Sequence, residues 1–229
     1  MVNNPFDRLF HSRCLLCGLI VHAKAADCIC VACAAELPRI AEYCLRCALP
    51  LPTRGLCGRC QIQPPPYSRC ISPLVYGAPI SRLIAHFKYS GKLAYGRLLS
   101  GELLRRLRLE ASLDADLLMP VPLHWRRRWA RGFNQAEIIG DELSRALHLP
   151  LQTRWLTRVR PTPPQQSLSA NERRKNLRSA FVLRASVLGL RIALIDDVVT
   201  TGATVSEISQ LLLNAGARSV QAWCLARTP

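Results

Sequence analysis

No apolar run in this 229-residue sequence approaches the ~18 residues that a bilayer-spanning helix requires, so no such helix is expected. The opening stretch, MVNNPFDRLFHSRCLLCGLI, lacks a basic start followed by an apolar segment. A secretory leader is therefore not expected, and a cytoplasmic location is. Two common phosphate motifs are missing as well. There is no G-x-G-x-x-G after an apolar strand and no G-x-x-x-x-G-K-[ST], which removes the dinucleotide-fold and P-loop readings. No dedicated nucleophilic side chain stands out. Acidic residues are scarce, 15 against 31 Lys and Arg, for a net charge of +16. The excess is uneven: residues 1–65 carry 7 basic against 4 acidic side chains, residues 66–229 carry 24 against 11. The basic surface thus belongs to the C-terminal part, and its partner should be anionic, either a phosphorylated small molecule or nucleic acid.

Cysteine is abundant instead, with eleven in the chain. In a reducing compartment regularly spaced cysteines read as metal ligands or reactive thiols, and spacing decides between them. Cys14 and Cys17, Cys30 and Cys33, Cys44 and Cys47, and Cys57 and Cys60 form four C-x-x-C pairs. A two-residue gap lets both sulfurs of a tight turn face one tetrahedral ion, the geometry of a zinc knuckle. Sequential pairing gives one or two structural zinc ions, closed by four thiolates each, in a double zinc ribbon. Cys28 is close enough to Cys30 to replace it. Cys70 and Cys224 lie in apolar strand contexts and read as core residues.

The sharpest break in composition is CQIQPPPYSRC, where three consecutive prolines end the cysteine pairs. We place the boundary there, with a ribbon domain at 1–65 and a second domain at 66–229. Downstream, strands at CISPLVYGA, DLLMPVPL, LRIALIDDVV and SVQAWCLART alternate with helices at PISRLIAHFKY, LAYGRLLSGELLRRLRL, NQAEIIGDELSRALHL and SEISQLLLNAG. Asn134 is the expected cap of the third helix. Strands apolar on both faces and separated by helices describe a parallel sheet covered on two sides, whose ligands bind at the carboxyl ends of the strands.

One of those strands runs into Asp196 and Asp197 and then into TTGAT before a helix. A helix N-terminus with unpaired N–H groups and a positive dipole end favours phosphate, and Gly202 permits close backbone approach. The hydroxyls of Thr200, Thr201 and Thr204 add donors. The carboxylates would repel phosphate but suit a sugar diol, with magnesium nearby. Phosphate and diol side by side describe a ribose 5-phosphate.

IALIDDVVTTGAT resembles the phosphoribosyl-pyrophosphate motif of the type I phosphoribosyltransferases at every position of that pattern. The whole chain, with its four cysteine pairs, HFKYSGK, PVPLHWRRRWARGFNQ and QQSLSANERRKNLRSAF, resembles the ComF/GntX family of bacterial proteins linked to DNA uptake and the use of DNA as a nutrient. The resemblance implies a phosphoribosyltransferase-like α/β domain behind a double zinc ribbon. It implies that Asp196 and Asp197 hold the ribose hydroxyls and that Thr200, Thr201, Gly202, Ala203 and Thr204 wrap the 5-phosphate. It also makes Lys88, Ser90 and Gly91 candidates for the pyrophosphate, although the same residues read equally as an ordinary helix C-terminus.

Two basic runs remain. Arg126, Arg127, Arg128 and Arg131 are interleaved with Trp125, Trp129 and Phe133, a combination that suits pyrophosphate, single-stranded nucleic acid or both. Arg173 and Arg174 follow a Pro- and Gln-rich stretch that reads as a flap over the strand ends. His124 reads as a packing or hydrogen-bonding residue. Three functions fit: a phosphoribosyltransferase, a single-strand-binding module of the uptake machinery, and a regulator that senses phosphoribosyl pyrophosphate and acts on a protein partner.

Overall fold

The computed structural model describes residues 12–21, 28–160 and 180–229. Its centre is a parallel sheet built from β3 (Arg69–Ile71), β4 (Leu74–Val75), β5 (Leu117–Pro120), β8 (Arg191–Val199) and β9 (Ser219–Arg227). The spatial order is β3, β9, β8, β5, and β4 extends the pairing of β3 along β9. All of these pairs are parallel, as the strand–helix alternation predicts. A two-strand hairpin of β6 (Leu156–Arg158) and β7 (Phe181–Leu183), absent from the sequence reading, lies outside the sheet.

The pleat of β8 sends Ile192 and Leu194 to one face and Ala193 and Ile195 to the other, all fully buried. Each of the larger three contributes about 1.5–3 kcal/mol by leaving water. One face is covered by α3 (Ile80–Ser90), α4 (Leu93–Arg108) and α6 (Gln135–Leu147). The other carries α7 (Ala203–Asn214) and the β6–β7 hairpin. Asn134 caps α6 as expected, its Oδ1 accepting from Ala136 N at 3.1 Å. Cys70 and Cys224 are buried in the sheet.

The N-terminal part contains β1 (Ser12–Arg13), β2 (Ile20–Val21), α1 (Val31–Ala35) and α2 (Gly58–Ile62). It wraps the β3 edge from both sides: Cys14, Ile29 and Leu37 join the α3–α4–α6 core, while Cys44, Cys47, Cys57 and Cys60 join the α7 core. Residues 38–40 run antiparallel to the edge at Leu74, with Ile40 N donating to Pro73 O and Val75 N to Pro38 O. Arg39 clamps the buried Glu102 of α4 through two hydrogen bonds of 3.0 and 2.9 Å. A carboxylate buried this deeply needs such a partner, because an uncompensated one would cost several kcal/mol, of order 3–5.

Candidate functional site

Two groups of four sulfurs are assembled, Cys14 with Cys17, Cys30 and Cys33, and Cys44 with Cys47, Cys57 and Cys60, all ligand atoms of a group within 4.8 Å of one another. The pairing is sequential, and Cys30 rather than Cys28 completes the first group. Burial opposes ionisation of Cys44, but N–H groups of Cys57, Cys47 and Arg46 directed at its sulfur hold its pKa down to about 7. Cys14 is lowered to about 6 in the same way by Cys17, Cys30 and Leu16. The thiols of Cys33, through its hydrogen bond with Cys30, and of Cys60, through burial and then Cys47, are pushed upward. Four converging sulfurs with part of their charge already favoured fit a closed tetrahedral zinc site.

At the other end of the sheet, β8 does not stop at the aspartates but pairs with β9 as far as Val199. Ladder hydrogen bonds carry the strand past the two charges because Asp196, Asp197 and Val198 are only partly buried before Val199 turns inward again. Strand alternation then separates the adjacent carboxylates. Asp197 meets Lys88 of α3, with Nζ 2.6 Å from Oδ2. Asp196 lines a small cavity of about 40 Å³ with Val198 and the turn from Val199 to Val205. Burial, then the charge of Asp197, raises the Asp196 carboxyl to about 7, against the opposing effects of Lys88 and Arg158. Burial works against the Lys88 ammonium, yet Asp197 keeps its pKa above the usual lysine value.

The turn has the form that anion binding requires. Gly202 is the cap of α7 with φ +75°, a left-handed conformation that only glycine takes without strain, and it offers no side-chain oxygen to the first-turn N–H groups. Among the described residues, Ala203 N finds a side-chain acceptor in Thr201 Oγ1, at a long 3.4 Å.

HFKYSGK belongs to α3 as far as Ser90, in line with the helix read at PISRLIAHFKY. Nothing breaks the helix before Gly91, so Lys88 and Ser90 sit on the last turn of α3 and Gly91 is its left-handed cap, φ +62°. The hydroxyl of Ser90 donates to His86 O, whereas Lys88 reaches the aspartates. The arginine-rich run is likewise a short helix, α5 (Trp125–Arg131), capped by His124 Nδ1, which accepts from Arg126 N at 3.3 Å. Burial and the surrounding Arg158, Arg126 and Arg127 lower the His124 pKa, in keeping with its role as a cap. The α3 terminus meets both following helices: Gln135 Nε2 of α6 donates to Lys88 O, and the Arg131 guanidinium of α5 lies 5.1 Å over the Tyr89 ring. Trp125 and Trp129 are 62% and 89% exposed and Tyr89 74%, with Arg126 over the Trp125 ring and Arg131 over Tyr89, the neighbour of Lys88. Arg128 is held by Glu137 at 2.7 Å. Arg173 and Arg174 lie outside the described residues.

The sequence reading missed Arg158, which offsets the charge of Asp196, and Tyr67 and Arg227, which touch the turn. No motif marks them, because each is a single polar residue in a stretch that reads as strand or linker.

The double zinc ribbon domain family matches residues 6–61. DNA utilization protein YhgH of Escherichia coli O157:H7 is 43% identical over 205 residues, covering 87% of this chain and 90% of that protein. The chain belongs to the ComF/GntX family. Within it, Competence protein F of Haemophilus influenzae is 36% identical, covering 95% of this chain and 98% of its own length. Competence protein ComFC of Bacillus subtilis is 26% identical over 90% of this chain and 86% of the relative. Among solved structures, a purine phosphoribosyltransferase from Pyrococcus horikoshii superposes with a TM-score of 0.37 at 19% identity, covering 58% of this chain and 73% of that one. A hypoxanthine phosphoribosyltransferase from Staphylococcus aureus gives 0.39 at 16% identity, covering 57% and 62%. The ComF/GntX architecture, a ribbon pair joined to a parallel α/β sheet, is the one described above. No helix among the described residues is long and apolar enough to cross a membrane.

Proposed function

We propose that this protein binds the ribose 5-phosphate part of phosphoribosyl pyrophosphate at the carboxyl ends of β5 and β8, and that this binding serves the use or uptake of DNA, as the names of its relatives suggest. The observation that carries the reading is the meeting of Lys88 with Asp197 beside the glycine-capped turn. It brings the expected pyrophosphate residues and the expected ribose-phosphate residues, remote in sequence, to one place. Thr200 to Thr204 would receive the phosphate on backbone N–H groups and hydroxyls, and Asp196 and Asp197 would accept from the ribose hydroxyls. Lys88, freed from Asp197 as the diol takes its place, would face the departing pyrophosphate together with the α5 arginines. Magnesium bound with the ligand would supply further charge neutralisation. In this reading the chain orients and stabilises charge, and no side chain attacks. The test is calorimetry with phosphoribosyl pyrophosphate and magnesium, followed by a pyrophosphate-release screen with nucleobases. Binding with release supports a transferase; binding without release supports a sensor; the absence of binding overturns the reading.

A second reading rests on the exposure of Trp125, Trp129 and Tyr89 beside arginines. Such a face suits stacking of unpaired bases with phosphates held between them, and single-stranded DNA is its natural occupant. Both functions fit one molecule, since the two surfaces adjoin.

A further inference from the structure

Arg227, at the end of β9, is 6% exposed, and no acidic side chain among the described residues pairs with it. Its guanidinium is instead given to carbonyls. Nε donates to Cys47 O at 3.0 Å, and Nη1 donates to Val199 O at 3.1 Å, to Thr200 O and to Thr228 O. Arg59, between the ligands Cys57 and Cys60, donates Nη1 to Thr201 O at 3.1 Å. Tyr67, 2% exposed, brings its hydroxyl within 3.2 Å of where a Cβ on Gly202 would lie. Around these contacts the second ribbon and the turn enclose a cleft of about 560 Å³.

Three consecutive carbonyls of the turn, those of Val199, Thr200 and Thr201, are thus drawn toward arginines on the ribbon side. In a trans peptide the C=O and the following N–H point in opposite directions. The N–H groups of Thr200, Thr201 and Gly202 are therefore turned away from the ribbon, and none of them donates to a backbone acceptor among the described residues. Successive N–H groups aimed one way form an anion-binding nest.

We infer that the second zinc ribbon is a working part of the phosphate site: Arg227 and Arg59 are positioning residues that set the peptide planes of the turn, so the nest exists only while that ribbon is folded around its metal. The first ribbon makes no hydrogen bond to the turn among the described residues, and its metal is dispensable for the nest. The inference rests on the phosphate reading of the turn and adds to it a source of control, since loss of the second zinc would release the ligand.

The test uses the full-length zinc-loaded protein and the variants Arg59→Ala, Arg227→Met and Arg227→Lys, with two readouts. Calorimetry with ribose 5-phosphate reads the nest, and hydrogen–deuterium exchange of the 199–205 segment reads its geometry without any ligand. Loss of one charge-assisted bond should weaken binding about fivefold in Arg59→Ala, and loss of several at least about tenfold in Arg227→Met, with partial rescue in Arg227→Lys. Exchange in 199–205 should rise in the same order while zinc content stays unchanged. Arg59 is exposed, so if Arg227→Met fails to fold, Arg59→Ala decides. Wild-type exchange in 199–205 of Arg59→Ala, or undiminished affinity with faster exchange, overturns the inference. If the wild type binds no ribose 5-phosphate, the phosphate reading fails, and the exchange result still decides whether the ribbon sets the turn.

Discussion

Lys88 Nζ stands 2.6 Å from Asp197 Oδ2, tying the last turn of α3 to the carboxyl half of β8. The pair is partly buried, and Lys88 also compensates the neighbouring Asp196. Lys88→Met would leave Asp197 without its ion-pair partner and Asp196 with only Arg158 to offset its charge, and should destabilise the apo protein by about 2 kcal/mol. Asp197→Asn removes the partner but also the repulsion, so its cost should be below about 1 kcal/mol. Urea denaturation of both single variants and the double variant gives the coupling directly. Additivity to within about 0.3 kcal/mol would show that the contact has no energetic weight.

The Asp196 carboxyl carries the pH signature of the site. Its pKa is raised from 3.8 to about 7 in the fold by burial and by Asp197. Across that window the folded protein keeps a proton that the unfolded chain has already lost, so this group's contribution to stability is full at low pH and declines as pH rises toward 7. Asp196→Asn abolishes the titration. The difference in Tm between this variant and the wild type should grow in the variant's favour from pH 5 to neutrality and level off above it. A difference independent of pH would mean that Asp196 ionises as an ordinary surface carboxylate. Ribose 5-phosphate affinity of the wild type should increase over the same interval, because a diol donates to the ionised oxygen.

The aromatic and basic face yields a separable test. Trp129 is 89% exposed, so Trp129→Ala should leave Tm unchanged while weakening single-strand binding by about 1–3 kcal/mol. Arg126→Ala should lower affinity and reduce the slope of log K against log salt by about one unit if that side chain meets a phosphate. Fluorescence anisotropy at several salt concentrations measures both. Unaltered affinity in Trp129→Ala would assign the face to solvent.

Sequence reading reached the sheet because its signals are local. The run from Arg191 to Val199 is apolar until the aspartates, and Gly202 and Asn134 occupy positions where helices begin. The cysteine spacing likewise dictates both metal groups. What spacing does not carry is the path between elements. Lys88, Ser90 and Gly91 read equally as a pyrophosphate site and as a helix C-terminus; they form that terminus, and only the fold shows that it ends beside Asp197. The separation of Asp196 from Asp197 follows from strand pairing continuing past them, which depends on β9 as neighbour. Arg227 was invisible altogether: an arginine ending an apolar strand reads as a solvent-facing stop, and only the packing of ribbon and turn around it shows that its donors go to carbonyls of both.

Zinc should be present at about two ions per chain, and the two should not be equivalent. From the sequence alone, with a boundary at the prolines, the sheet domain is expected to tolerate loss of ribbon metal. The shared core argues otherwise for the second site. Cys44, Cys47, Cys57 and Cys60 are all buried among residues of α7 and the sheet, whereas Cys17 of the first site is exposed. Cys44→Ser should therefore lower zinc to about one ion per chain and reduce the Tm of the whole protein, since the metal's folding free energy is lost where the sheet's own core is packed. Cys17→Ser should lose about one zinc as well, but the main unfolding transition should shift much less. Elemental analysis combined with calorimetric unfolding distinguishes the sites. Equal shifts for the two variants would mean that the ribbons fold as one unit apart from the sheet, and the continuity of the core at Cys44 would then have no thermodynamic consequence.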